Sequence, residues 1–287
     1  MVLLSGMCPG DPQGTEQPRS DLHHVQAPVW ASRHTGARDP NARRLLARSM
    51  TGHLSYGPDP SQWVELHRPD RPGRGVVAVI HGGFWKAAYD ASLGQPLALD
   101  LAARGWTALN VEYRRVGNGG GFPETFDDVA AALALLRDET GPLVTLGHSA
   151  GGHLATWAAA RTRFDRWAGG AEVTHVVSQA GVLDLSAAHA DALGSGAAQE
   201  LMGEGPGHPS YSLADPTRHV PLDVPVWCVH ARDDEEVPFS QSADYVTRAT
   251  AAGARAELVE VPGGHYGVID TRTEAWARIV EILDDIA

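Results

Sequence analysis

The chain has 287 residues, 43% of them apolar and 20% charged, with 23 Lys and Arg against 35 Asp and Glu. That balance fits a soluble globular protein with a sizeable core, and the net charge of −12 argues against a nucleic-acid binder, whose phosphate contacts need clustered basic side chains. Two cysteines, Cys8 and Cys228, are too few for a disulfide framework, and no 18-residue apolar run is present to span a bilayer.

Residues 1–49 hold six arginines and four acids, are rich in Pro, Gly and Ser, and have little periodicity. They are expected to form a mobile tail, or a leader ahead of a start at Met50. The opening MVLLSGMCPG lacks a positive n-region, its apolar run is short, and Met7 stands before Cys8 where a lipoprotein signal wants a small residue. The expected location is therefore the cytoplasm. Residues 50–287 read as a single domain.

In that domain strands and helices alternate. WVELH (63–67) is an early strand, and GVVAVIH (75–81) is a continuous apolar run bounded by glycines, as suits a strand buried on both faces. LGQPLALDLAARG (93–105) is helical and stops at glycine, and WTALNVEY (106–113) is the next strand. TFDDVAAALALLRDE (125–139) places Phe126, Val129, Ala130, Leu133 and Leu136 on one helical stripe, with Thr125 and Asp128 as a capping pair. PLVTLGH (142–148) is a strand that runs into Ser149, and AGGHLATWAAART (150–162) is a helix. Strands THVVSQAG (174–181), VPVWCVH (224–230) and AELVEVP (256–262) follow, with helices near 240–252 and 273–286; Cys228 is a small buried hydrophobe. Alternation of this kind predicts one mostly parallel, doubly wound sheet flanked by helices. Residues 184–222 break the rhythm with Gly, Pro and short apolar pieces, and are expected to form a small cap over the strand ends.

Strand, glycine turn and helix around GHSAG give Ser149 the setting of a nucleophile elbow, which lifts the serine oxygen above the sheet. Gly147 and Gly151 are sterically required there, and the helix beginning at Ala150 points its positive end at developing negative charge. A serine needs a neighbouring base, and in this architecture the chain order is Ser, acid, His. His265, in VPGGHYGV after the last strand, is the expected general base and acid. Asp233, Asp234, Glu235 and Glu236 compete to orient it; the spacing His230, Asp234, Val237-Pro238 favours Asp234, with Asp233 next. HGGFWK (81–86) ends an earlier strand, where glycines let the backbone turn its amides inward. The N–H groups of Gly83 and Phe84, with that of Ala150, are the expected oxyanion donors. His81 is read as a hydrogen-bonding support of this loop.

With these four stretches in place, residues 75–287 resemble the α/β-hydrolase superfamily. HGGFW and GHSAGGHLA are similar to the esterase-like group with an HGG-x-W oxyanion loop, which includes kynurenine formamidase (arylformamidase). VHARDDEEVP and GGHYG are also similar to prolyl-oligopeptidase-type hydrolases and dienelactone-type esterases. The resemblance implies an α/β-hydrolase fold and a cofactor-free Ser149–Asp234–His265 triad acting on a small carboxylic ester or amide. Two departures stand out: Ala231, where H-G-x-x-D is commoner, and Phe84, where lipase relatives carry a third glycine.

Trp85, with Phe84, is a candidate wall of the substrate pocket and equally a core anchor of its loop; Tyr113 and Arg114 border the pocket or satisfy buried polar groups. His148 and His153 flank the nucleophile, and strand and helix directions point them away from the site. No H-E-x-x-H or paired His/Cys spacing occurs among the 14 histidines, so no metal is expected. Two rival readings remain: an exopeptidase of the prolyl-oligopeptidase kind, disfavoured because the chain has no room for a gating propeller, and a catalytically silent binding protein of the same fold. The expected partner is a small-molecule ester or amide, with neither nucleic acid nor membrane, and the protein is a monomer or homodimer.

Overall fold

The computed structural model describes residues 51–70 and 73–286; the expected tail at 1–49 lies outside them. The apolar runs become strands of one eight-stranded sheet: β1 (Thr51–Ser55), β2 (Trp63–His67), β3 (Val76–Ile80), β4 (Thr107–Val111), β5 (Leu143–His148), β6 (His175–Gln179), β7 (Val226–His230) and β8 (Ala256–Glu260). Their spatial order is β1-β2-β4-β3-β5-β6-β7-β8. β1 pairs antiparallel with β2 and β2 with β4, and every later pairing is parallel. This is the α/β-hydrolase arrangement.

β3, β4 and β5 are buried along their whole length, and for β3 this is why 75–81 reads as a continuous apolar run. β1 was not expected. It is an antiparallel edge strand in which Leu54 alone is buried, too little for an alternation to be visible.

The helices divide between the two faces. α1 (Gln95–Ala103) and α9 (Glu274–Ile286) pack Leu97, Leu101, Trp276 and Ile279 against Val77 and Val79. α2 (Glu124–Ala134), α3 (Ala150–Ala160) and α7 (Ser240–Ala251) cover the other face, with Phe126, Leu154 and Tyr245 in a core that includes Ala78 and Ile80. Alternate residues of β3 thus feed two cores, one on each face. Between β6 and α7 lie α4 (Leu185–Ala190), α5 (Leu193–Met202) and α6 (Tyr211–Ala214), the segment expected to cap the strand ends. α8 (Gly264–Gly267) is a single turn after β8.

One local expectation fails. α2 begins after Pro123 with no side-chain cap. Thr125 instead donates to the Arg114 carbonyl at 2.7 Å, and Asp128 pairs with Arg114 and accepts from Gln62 at 2.6 Å. Tertiary partners took the two side chains that local spacing assigned to a cap.

Candidate active site

The winding of the sheet reverses around β3. The chain leaves β3 through α1 to β4 on one side, then returns through α2 to β5 on the other. The crevice at the carboxyl ends of β3 and β5 is the topological switch point, where open α/β sheets take their ligands. HGGFWK leaves the sheet there after β3, and Ser149 after β5.

Ser149 sits at φ 54, ψ −118, in the positive-φ region that a non-glycine residue enters only at a cost. Backbone bonds hold it in place: its N–H donates to Gln179 at 2.8 Å, and its carbonyl accepts from His153 at 3.1 Å and Val182 at 3.2 Å. The turn is also sterically closed. A Cβ on Gly147 would overlap the Gly151 carbonyl, and one on Gly151 would overlap the Ile80 carbonyl.

The loop after β3 stores strain of the same kind. Gly83, Phe84 and Trp85 have φ of 104, 52 and 54, a consecutive left-handed run that turns the amides away from the sheet ladder. Among the described residues, the N–H groups of Gly83, Phe84 and Ala150 donate to no protein acceptor. The loop lies against the elbow, since a Cβ on Gly82 would stand 3.1 Å from Ser149 Cβ. From below, the Tyr113 hydroxyl donates to the His81 carbonyl at 2.8 Å while the two rings stack at 4.4 Å. Arg115 pairs with buried Glu112 beside them. Burial pushes the His81 imidazole down to about 3, so the ring is neutral and serves as support.

Tyr113 is fully buried and Trp85 is 1% exposed, edge-on to His153 at 5.2 Å. Both therefore brace the loop from the core and do not line its open side. Phe84 is half-buried and rests on Gly194. Lys86 donates to the Gly194 carbonyl at 3.1 Å and pairs with Glu200 at 3.3 Å. The α5 segment is thereby fastened to the loop, at a stretch where Gly194, Ser195 and Gly196 are themselves left-handed.

On the other side of β5, His265 Nδ1 lies 2.7 Å from Asp234 Oδ2. Asp234 Oδ1 accepts from the amides of Glu236 at 2.9 Å and Val237 at 2.8 Å. Burial alone would raise the Asp234 carboxyl, but hydrogen bonds from His230, His265 and the Val237 amide outweigh it and hold the group well below the usual carboxylate range. Asp233 is exposed and accepts only from the Gly264 amide at 3.2 Å; of the competing acids, Asp234 is the one paired with the imidazole. No hydrogen bond joins the Ser149 hydroxyl to His265 among the described residues.

His148 does not point away as strand direction suggested. Its Nε2 lies 2.9 Å from the His265 carbonyl, and the rings are 4.5 Å apart, because the α8 turn folds back across β7 and β6 to the end of β5. Burial, and then the neighbouring His265, push the His148 ring down to about 3, so it donates as a neutral group. His153 is in the core, with Nε2 2.9 Å from the Ala214 carbonyl. His230 was noticed in the sequence only as a spacing marker; it too reaches Asp234, at 3.0 Å. Its i, i+4 spacing from that acid at a strand end is the signal that could have found it.

The BD-FAE family model matches residues 66–248, more than half of the chain. The chain belongs to the BD-FAE family. It is 28% identical over 239 residues to esterase LipC of Mycobacterium tuberculosis, an alignment covering 74% of this chain and 58% of that protein. The chain thus spans less than two thirds of this relative. Among solved structures, a bifunctional GH43-CE protein of Bacteroides eggerthii superposes with a TM-score of 0.69 at 21% identity, over 83% of this chain and 38% of that one. Est2, an esterase from Thermogutta terrifontis, superposes with a TM-score of 0.66 at 22% identity, over 82% of this chain and 91% of that one. These likenesses in structure carry the fold. Among the described residues, no helix is long and apolar enough to cross a membrane.

Proposed function

We propose that this chain is a serine hydrolase that cleaves small carboxylic esters through an acyl-enzyme on Ser149. His265 acts as general base and then general acid, and Asp234 orients it. The observation that carries this reading is the 2.7 Å pair between His265 Nδ1 and Asp234 Oδ2, formed beside a serine held at positive φ. Membership of the BD-FAE family and the likeness to esterases support it.

In the mechanism the Ser149 oxygen attacks the ester carbonyl as its proton passes to His265 Nε2. Asp234 keeps the Nδ1 proton facing away from the serine and stabilises the imidazolium. The carbonyl oxygen becomes an oxyanion and is received by the unpaired amides of Gly83, Phe84 and Ala150. Collapse expels the alcohol, which takes the proton from His265. Water then attacks the acyl carbon and gives a proton to the same nitrogen, and a second collapse breaks the bond to Ser149, whose oxygen takes that proton back as the acid leaves. Substrate closes the gap between hydroxyl and imidazole, a contact that tightens in the complex. Helices α4 to α6 cap the site and bear on acyl choice through Phe84 and Gly194.

A fluorophosphonate probe tests the reading directly. Wild-type protein is expected to be labelled at Ser149 and to hydrolyse p-nitrophenyl acetate, with Ser149→Ala losing both. Absence of labelling would end the enzyme reading in favour of a binding protein. N-formylkynurenine and aminoacyl-p-nitroanilides in the same assay separate the formamidase and exopeptidase alternatives from the esterase.

A further inference from the structure

We propose that His230 is a positioning residue for the acid of this site: its imidazole N–H holds the same Asp234 oxygen that pairs with His265, and fixes where that oxygen stands. The inference rests on the serine-hydrolase reading above and extends it by one residue that touches neither substrate nor nucleophile.

His230 closes β7 and is fully buried. Its Nε2 lies 3.0 Å from Asp234 Oδ2 and 3.1 Å from the Val237 carbonyl. Both partners are acceptors, so this nitrogen carries the proton. Its Nδ1 lies 2.8 Å from Ser242 Oγ on α7, and in the tautomer protonated at Nε2 it accepts the hydroxyl proton there. A single tautomer satisfies every partner, and a chain of hydrogen bonds runs from Ser242 through His230 and Asp234 to His265. Asp234 Oδ1 is occupied by the two amides, leaving Oδ2 shared between two imidazoles.

The groups facing this pair come from several elements. His148 approaches from β5 and Tyr266 from α8, its ring 5.1 Å from His265. Phe239, at the start of α7, lies 5.6 Å from His230. Asp233 reaches the Gly264 amide beside them, and Glu236 gives its amide to Asp234. Asp234 is the carboxylate in contact with either ring, so a proton donor withdrawn from Oδ2 is felt first at His265. Without His230 the oxygen becomes a stronger acceptor for His265 and also loses its anchor.

His230→Leu is expected to lower kcat about ten-fold with KM unchanged, and to move the acid limb of kcat/KM upward by about half a pH unit. His230→Gln keeps an N–H at the reach of Nε2 and is expected to restore both. Ser242→Ala loosens the ring without removing it and is expected to fall between them. A folded His230→Leu with the wild-type acid limb and kcat overturns the proposal, as does failure of glutamine to rescue, which would leave His230 a packing residue. If leucine does not fold, a Ser242→Ala variant with an unshifted acid limb overturns it instead. Fluorophosphonate labelling keeps the two levels apart: an unlabelled wild type defeats the serine-hydrolase reading, whereas a labelled wild type beside an unshifted His230→Leu defeats this inference alone.

Discussion

The loop after β3 and the loops after β7 and β8 leave the sheet on opposite sides of the strand that ends in Ser149, and different forces hold them. On the first side the backbone itself is forced: Gly83, Phe84 and Trp85 run left-handed, the elbow is closed by carbonyls that leave no room for a methyl group, and buried rings press from below. On the second side the backbone is ordinary except at the Gly263–Gly264 turn, and placement comes from side-chain hydrogen bonds on Asp234. Steric closure is insensitive to pH and intolerant of added atoms. Hydrogen-bonded placement tolerates volume and responds to charge. The same site therefore has one shoulder that should break by overpacking and one that should break by altered protonation.

Paired glycine substitutions expose that difference most strongly. Gly151→Ala drives a Cβ into the Ile80 carbonyl, backbone that cannot step aside, and is expected to cost more than about 4 kcal/mol, enough to remove soluble protein. Gly264→Ala meets nothing closer than 3.8 Å at its φ of 61, and should cost about 1–2 kcal/mol of backbone strain. Soluble yield and thermal melts decide it; equal losses at the two positions would erase the contrast.

Altered chemistry without altered shape should have the reverse pattern. Asp234→Asn keeps volume but offers His265 an amide, and is expected to lower kcat by about 10³–10⁴-fold with the fold retained. Asp233→Asn keeps an oxygen for the Gly264 amide and should change kcat little. Steady-state kinetics on p-nitrophenyl acetate separates the two, and a larger loss at Asp233 would move the acid to that residue.

The same division governs what the sequence could reveal. β3, β4 and β5 are wholly buried, so most of their residues are apolar, with Thr107, Asn110, Thr145 and His148 as the buried polar exceptions, and the strands stood out. Ser149 was legible because the elbow demands glycine on both sides within a few residues, a local condition written locally. β1 buries Leu54 alone and left no trace. Thr125 and Asp128 looked like a cap because capping is judged within one helix, while their partners Arg114 and Gln62 lie elsewhere in the chain. His148 and His230 were missed as neighbours of His265 and Asp234 for a related reason: strand alternation states which side of the sheet a side chain leaves from, but not which distant turn folds back to meet it.

Acid should undermine the fold through its buried histidines, those in the core together with those beside the site. Burial first, with nearby charges, takes His81 and His148 to about 3 and His153 and His219 to about 4, against an ordinary 6.5. Between pH 6.5 and about 4 the unfolded chain binds protons that the folded chain refuses, so stability falls as pH falls through that window. Each group contributes a slope of up to about 1.4 kcal/mol per pH unit. Melting temperatures are expected to drop steeply over this range, and a flat profile would mean that these rings reach water. His153→Gln, placed away from Asp234, should flatten the slope without moving the acid limb of kcat/KM; movement of both would show that stability and the acid–base cluster are not separate.

The smallest expected effect lies where the two kinds of support meet. Tyr113→Phe keeps the ring that stacks on His81 but removes the hydroxyl that donates to the His81 carbonyl. If the strained loop is held mainly by packing, its amides stay aimed and kcat falls only a few-fold, with about 1–2 kcal/mol lost from stability for an unsatisfied buried carbonyl. If the single hydrogen bond holds the loop, the amides at Gly83 and Phe84 swing away, and kcat should fall about 10²-fold or more, the scale of losing an oxyanion donor. The contacts favour the first outcome, because the Lys86–Val116 bridge and the Val116 amide on the Trp85 carbonyl at 2.8 Å also tie the loop down. Measured together, kcat and melting temperature then state how much of this shoulder is shape and how much is one proton donor.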